Sequence, residues 1–428
     1  MGGTDVSRFH FGRRQTIGVI FGLVGLYLVG YVAPNLDPMD RGVSFEPPPD
    51  PAKVIIDPTV AVTAIGVVFI LCAVATFFER RSPRVARVAL FTASLLFVPL
   101  VIILALALSE STETNVMQLL VESLRLSTPV ALGAMAALWC ERSGVVNIGI
   151  EGTMLASACT GFLAYAVLGD AQDTWALWVA VLVAILTGGL ISLLHALLTV
   201  SYRVDQIISG VVINLLALGL TGFLRSEVLV DTGISTGVPT AAIGLPLLSE
   251  IPIVGPQLFT NKPIFFAMFV VIATTAWVLH RTRFGLRVRS VGEHPHAAET
   301  VGIDPLRIRY RAVVIGGLIA GLAGAWFSLE SQSGFQDNMT NGTGFIALAA
   351  LIFGRWQPWT AFAGAVLFGF TRALGARLQI LGVTIGDFSI PSEFLQALPY
   401  VVTIIVVAGA IGRAIPPAAD GIPYERSR

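Results

Sequence analysis

The sequence predicts an all-α fold, a polytopic transmembrane helical bundle of about 10–12 membrane segments that includes re-entrant or broken helices. Three observations carry this. The chain is 55% hydrophobic and only 13% charged, where a soluble domain carries about a quarter charged residues. Its mean hydropathy is +0.79. Its apolar residues gather into runs of about 20, the length that crosses a bilayer as a helix.

In chain order the runs cover 16–34, 60–78, 88–108, 116–139, 152–168, 175–200, 207–224, 263–280, 312–330, 344–357, 359–376 and 396–412. The first follows Arg8, Arg13 and Arg14, as a signal peptide would. Thr16 to Ala33 is long for that role and no A-x-A site follows, so an uncleaved span is expected. The run 344–357 is short for a full crossing. Orientation follows from arginine. Loop 79–87 holds four arginines and loop 281–311 holds seven, which places both loops in the cytoplasm. The Pro-rich acidic loop 35–57 then lies outside. Twelve crossings return both termini to the cytoplasm, and ten crossings with re-entrant pieces keep the same parity. Loop 225–262, on the outer side, mixes apolar residues with Gly and Pro and is expected to form short surface helices.

Three regions result. Residues 1–115 hold three spans and the Pro-rich loop, 116–413 the other nine runs, and 414–428 a cytoplasmic tail.

Several functions are excluded. The 27 basic and 27 acidic residues balance, so nucleic acid finds no electrostatic partner. A P-loop needs Gly-x4-Gly-Lys-Ser/Thr, and neither lysine, Lys53 or Lys262, lies in one. Energy for any transport must come from a partner chain or an ion gradient. Cys72, Cys140 and Cys159 have the spacing of neither a metal site nor a disulfide framework. His294 and His296 have no further ligand nearby, so no metal site is expected. With no nucleophile–base pair apparent, the chain is not expected to be an enzyme.

One polar stretch interrupts the apolar pattern: "ERSGVVNIGIEG", Glu141 to Gly152. Charge is costly at membrane depth and irregular backbone is tolerated there only where it is buried or lines a cavity. A re-entrant turn beside a solute pathway fits, with Asn147 and Glu151 near the solute. Glu141 and Arg142 suit a structural role at the end of the preceding helix. A second glycine-interrupted stretch, 341–344, hints at a paired, pseudo-symmetric arrangement. Asn214 and Thr221 are seven apart on one helix face, where either solute contact or an interhelical hydrogen bond is served. Gln332, Asn338 and Phe345, in "SLESQSGFQDNMTNGTGF", are candidates for the outer half of the pathway and equally ordinary loop residues. His195 is expected to be packed and hydrogen-bonded.

The arginine-rich stretch 281–311 encloses "EHPHAAETVG". Pro295 suits a first helical position and Gly302 the residue after a helix end. A short cytoplasmic helix between basic arms can insert into a groove on a soluble partner. A loop that only sets topology is the alternative.

"SGVVNIGIEGTM", "TRFGLRVRSVGEHPHAAETVGI" and "NGTGFIALAALIFGRWQP" resemble the permease subunits of bacterial ABC importers for branched-chain amino acids, ribose and nucleosides. Within that family the nucleoside or simple-sugar branch is most similar, over roughly 116–413, which the resemblance makes the permease core, with 1–115 an N-terminal extension outside it. The resemblance implies a transport subunit that pairs with a second, usually different, permease chain. It also implies a cytoplasmic ABC ATPase carrying ATP and Mg, an extracytoplasmic solute-binding lipoprotein, and a bacterial inner membrane. Glu293, His294, Pro295, Ala297, Ala298, Glu299 and Gly302 match the coupling helix that docks on the ATPase. A nucleoside is the expected solute. A simple sugar or branched-chain amino acid is the alternative within the class, and an ion-coupled secondary transporter the alternative outside it.

Overall fold

Ten helices among the described residues are long and apolar enough to cross a membrane. The computed structural model describes residues 13–36, 41–44, 53–77, 82–107, 113–168, 174–230, 240–252, 255–381, 384–385, 388–389, 391, 393–394, 397 and 414–425. The predicted run 396–412 lies outside them except for Ala397, as do residues 79–81 of the first arginine-rich loop. The chain forms two compact units, residues 1–119 with 374–397 and residues 120–373 with 398–428.

In the first unit, α1 (Arg13–Tyr27), α2 (Pro58–Phe77) and α3 (Pro83–Ala107) carry the first three apolar runs. Their core is Leu28, Val62, Phe69, Ala93 and Leu100, with Phe21 edge-on to Phe69 at 5.1 Å. The Pro-rich loop contributes two strands that the sequence pattern did not announce, β1 (Arg41–Ser44) and β2 (Lys53–Ile56). A third, β3 (Glu113–Asn115), completes a sheet of order β2-β1-β3, antiparallel then parallel, with Val43 opposite Val54 and Thr114.

The remaining helices are α4 (Val116–Glu141), α5 (Ile150–Leu168), α6 (Thr174–Ala196), α7 (Gln206–Leu224), α8 (Gly255–Leu258), α9 (Pro263–Arg281), α10 (Arg283–Glu293), α11 (Pro295–Thr300), α12 (Pro305–Ala325), α13 (Thr343–Phe353) and α14 (Pro358–Leu381). α6, α7 and α12 each extend by one π-helical turn, Leu197–Ser201, Arg225–Leu229 and Trp326–Ser331. Beyond the π-helical turn Arg225–Leu229, the described residues of loop 225–262 hold α8 and a two-residue ladder, Ile243–Gly244 with Thr260–Asn261.

Helix α5 is buried along most of its length and packs against α6, α7, α12 and α13. Small residues allow this crowding, as is usual between helices in lipid. A Cβ on Gly188 of α6 would lie 2.3 Å from the Gly317 carbonyl and 2.6 Å from the Gly321 nitrogen of α12. Conversely, Leu182, Leu186 and Leu190 of α6 and Leu215, Leu216 and Phe223 of α7 are exposed, as lipid-facing positions require.

The expected span 312–330 begins earlier. Asp304 caps α12 by accepting from the Arg307 nitrogen, and Pro305 occupies its first turn. Arg307, Arg309 and Arg311, read in the sequence as loop residues, are therefore helical, and Arg309 is only 1% exposed. The other basic arm is helical too, as α10.

Helix α13, with 11 residues, rises about 16 Å, roughly half a hydrocarbon core. Its end sits with the arginine-rich end of the bundle. Arg142, just past α4, donates to the Trp356 carbonyl at 2.9 and 2.6 Å, and His280 at the end of α9 meets Gln357 at 2.9 Å. Its start meets Glu151 in the first turn of α5. Gly152, one residue on, donates to Asn214 at 2.7 Å, and Asn214 lies about 13 Å along α7 from the cap Asp205. The start of α13 is thus close to half-depth. The run 344–357 is one short helix, Thr343–Phe353, followed by a turn, and residues 332–342 ahead of it are bends and turns rather than helix.

Candidate functional site

The stretch Glu141–Gly152 forms a cradle for α13. At one end the Glu151 carboxylate accepts three bonds: from Thr340 Oγ1 at 2.6 Å, Gly342 N at 2.8 Å and Gly344 N at 2.5 Å. Gly342, the helix cap at φ 74°, has no side chain to satisfy the first N–H groups, so Glu151 does it from across the fold. At the other end Glu141 accepts from Trp356 Nε1 at 2.5 Å and Arg142 holds the Trp356 carbonyl. An acid at the N-terminus of α13 and a guanidinium at its C-terminus both oppose the helix dipole. Arg355 and Trp356 have φ of 50° and 54°, two successive left-handed residues without glycine, a conformation that persists only where its surroundings impose it. Burial lowers the Arg142 guanidinium from its ordinary value, and Glu293, 3.9 Å away, opposes that shift.

The cradle itself is tied to α6 and α7. Val146 donates to Gln206 Oε1 at 2.6 Å, and its carbonyl meets His195 Nε2 at 3.1 Å. The other His195 nitrogen meets Ser209 Oγ at 3.0 Å, so His195 is packed and hydrogen-bonded as expected. Asn147 accepts from Gly149 N at 3.0 Å and lies 3.8 Å from Cys140 Sγ. Asn214 accepts from Gly152 N and donates to the Ile148 carbonyl at 3.1 Å. Thr221 is buried and donates to the Leu218 carbonyl.

Among the sequence-derived candidates, Asn147, Glu151 and Asn214 come together with the first turn of α13, which carries Phe345. Asn147 and Glu151 are 3% and 7% exposed, and their partners are backbone groups, Cys140 Sγ and Thr340. Phe345 is 47% exposed. Asn338, with φ 53°, shapes the turns ahead of α13, and its carbonyl accepts from Asn341 N at 2.9 Å. Gln332 lies at the far end of that segment, beside Glu330, and is exposed. The two glycine-interrupted stretches noted in the sequence therefore meet, through Glu151. The sequence offered no sign of Thr340, Trp356 or Gln206 as partners, because each lies at least 60 positions from the residue it serves.

A similar device stands at the opposite end. Glu330 caps α9, accepting from Ile264 N at 2.6 Å and Phe265 N at 3.1 Å, while Lys262 donates to the Glu330 carbonyl. A cavity of about 260 Å³ opens there between Arg125, Lys262, Phe265 and Trp326. Burial lowers the Lys262 ammonium from its ordinary value, against the opposite pull of Glu330.

The segment Glu293–Gly302 is the short helix α11 and its flanks. His294 caps it, accepting from Ala297 N at 3.1 Å, Pro295 takes the first turn, and Gly302 at φ 80° ends it. Glu293, His294, His296, Ala297, Val301 and Gly302 are exposed, Pro295 and Glu299 half-buried, and Ala298 is buried against the bundle.

A family model described as branched-chain amino acid transport system, permease component, matches residues 119–407. The chain belongs to this family. The permease is 39% identical over 306 residues to the guanosine ABC transporter permease protein NupQ of Bacillus subtilis, covering 71% of this chain and 94% of that one. It is 39% identical over 317 residues to the nucleoside ABC transporter permease protein NupC of Lactococcus lactis, covering 73% and 99%. At 34% identity over 311 residues, covering 69% and 92%, comes TsgC13 of Haloferax volcanii, provisionally named a glucose ABC transporter permease. As a permease component, the chain is a multi-pass membrane transport subunit. Helices α1 to α3 precede the matched region.

Proposed function

We infer that this permease carries nucleosides inward as one of two permease chains in an ATP-driven importer of a bacterial inner membrane. The observation that supports this reading most is the 39% identity to both the guanosine and the nucleoside permease over nearly their whole lengths. The arginine-rich end, with α10 and α11, faces the cytoplasm on this reading, as do both termini. The exposed side of α11 docks on a partner ATPase that binds ATP and Mg, and a solute-binding lipoprotein delivers solute to the opposite face.

The solute passes the break ahead of α13. Phe345 offers a ring to a base, and Asn338, Gln332 and the partly open face of Asn214 offer polar contacts to the sugar. Asn147 and Glu151 act from behind, by fixing the wall. Closure of the ATPase pair moves α11, and through it the cradle and α13, so that the break opens to one side at a time.

Uptake of labelled adenosine in cells with and without the chain tests the solute, with uridine, ribose and leucine as separate competitors. Chain-dependent uptake blocked by uridine alone is expected. Uptake blocked by ribose would favour the sugar reading that the likeness to TsgC13 supports. Uptake that persists on ATP depletion with the ion gradient held would contradict the ABC assignment.

A further inference from the structure

Residues 414–425 look in the sequence like a bare tail. In the fold they lie between three mechanical parts. The Ala419 N–H donates to the Gly292 carbonyl at 2.8 Å and the Ala418 N–H to Glu293 Oε2 at 3.3 Å, both at the end of α10 just before α11. The Tyr424 ring stands 5.1 Å from the His296 ring of α11. Glu425 pairs with Arg203 at 2.5 Å, two residues before the cap of α7.

One buried guanidinium joins this strap to the cradle. Arg309 donates from Nε to the Ser143 carbonyl at 3.2 Å, from Nη1 to the Ile422 carbonyl at 3.0 Å and from Nη2 to the Ala419 carbonyl at 3.5 Å. Only arginine carries donors on three nitrogens in one rigid plane. The parts also touch backbone to backbone. A Cβ on Gly292 would lie 2.2 Å from the Arg142 carbonyl, and one on Gly144 (φ 86°) 2.8 Å from Arg309 Nη2 and 2.9 Å from the Ala419 carbonyl. Asp420 is set into the same joint, near Glu141 and Arg309.

We propose that Arg309 and the strap 414–425 form the joint that makes α11 and the Glu141–Gly152 cradle move as one body. The proposal rests on the reading of α11 as the ATPase docking helix. A push on α11 reaches α10, passes through Gly292 and the strap to Arg142 and Ser143, and arrives at both ends of α13. Arg309 is a positioning residue; it touches neither solute nor nucleotide. If it served only stability, its loss would lower uptake and ATP turnover together. If it transmits motion, its loss lets ATP turn over without solute.

The test uses the full transporter, reconstituted with its partners in lipid vesicles, and reads uptake of labelled adenosine against phosphate released in the same sample. The variants are Arg309→Lys, which keeps the charge but loses the fork, and deletion of 414–428. ATPase co-purification and vesicle insertion are measured for each. The expected result is retained ATPase binding, with adenosine carried per ATP reduced about tenfold or more in at least one variant. An unchanged ratio would overturn the proposal, whether or not both rates fall together. Loss of ATPase binding in both variants would overturn it too, making the strap a part of the docking site. Failure of the unaltered chain to hold the ATPase is a separate outcome. That result would end the docking reading, and the joint with it.

Discussion

Replacing Glu151 separates two roles for its carboxylate, a cap on α13 or a contact for solute. In the cradle Oε1 accepts from Thr340 and Gly342, and Oε2 from Gly344. Glu151→Gln keeps the shape, and its amide oxygen can take over the Oε1 bonds. The amide nitrogen then faces the Gly344 N–H, donor against donor. One bond to a charged acceptor is lost and a buried N–H is left unsatisfied, at a cost of about 1.5–3 kcal/mol. Glu151→Ala leaves all three buried donors without their acceptor, at about 1–3 kcal/mol for each one left unsatisfied. The assay combines thermal unfolding in detergent with KM and maximal rate for uptake of a purine and a pyrimidine nucleoside. We expect stability to fall for Gln and further for Ala, with maximal rate reduced for both solutes alike. A changed KM for one nucleoside, with unfolding unaltered, would refute the cap.

Three further substitutions probe other parts. Proline cannot reach the φ of 80° that Gly302 adopts, so Gly302→Pro should abolish ATPase co-purification while the chain still inserts; normal co-purification would count against α11 as the docking helix. Phe345→Ala removes an exposed ring, so melting should be unchanged while nucleoside KM rises about tenfold, the scale of one base–aromatic stack. The third prediction is a pH dependence. Burial holds the Asp420 carboxyl up at about 7, with Arg309 pulling the other way, against about 3.9 in an unfolded chain. The fold therefore favours the neutral acid, and its contribution is complete at acid pH and lost as pH rises through about 7. Proteolytic removal of 414–428 should be faster at about pH 8 than at about pH 6. Asp420→Asn should flatten that difference, and an equally steep profile in the variant would place the titration elsewhere.

The membrane helices were legible because each span is a continuous apolar run, and α11 because Pro295 and Gly302 mark its ends by backbone geometry. The short run 344–357 was visible as too short for a full crossing, and in the structure it is an 11-residue helix that follows a stretch of turns. The role of Glu151 was not legible. Its three donors lie near residue 340 and belong to a helix cap that has no side chain of its own. The strands β1 and β2 in the Pro-rich loop, and β3 just ahead of α4, escaped notice because runs of three or four residues carry no periodic signal. The start of α12 was misplaced because arginines at 307, 309 and 311 look solvated, and nothing local reveals that one of them is enclosed by carbonyls from two distant segments. For the same reason the segment 414–425 read as a tail.

The central claim is that the break ahead of α13, held by the Glu141–Gly152 cradle, lies on the solute path. The most direct test places a thiol at that break. Cys72, Cys140 and Cys159 are buried, so Phe345→Cys gives a reporter against a low background. A membrane-impermeant thiol reagent is applied from each side in turn, in the nucleotide-free complex and in the complex trapped during ATP hydrolysis. The account predicts labelling that changes side with the nucleotide state and is slowed by excess nucleoside. Labelling from neither side in either state would put the start of α13 off the path and contradict the account.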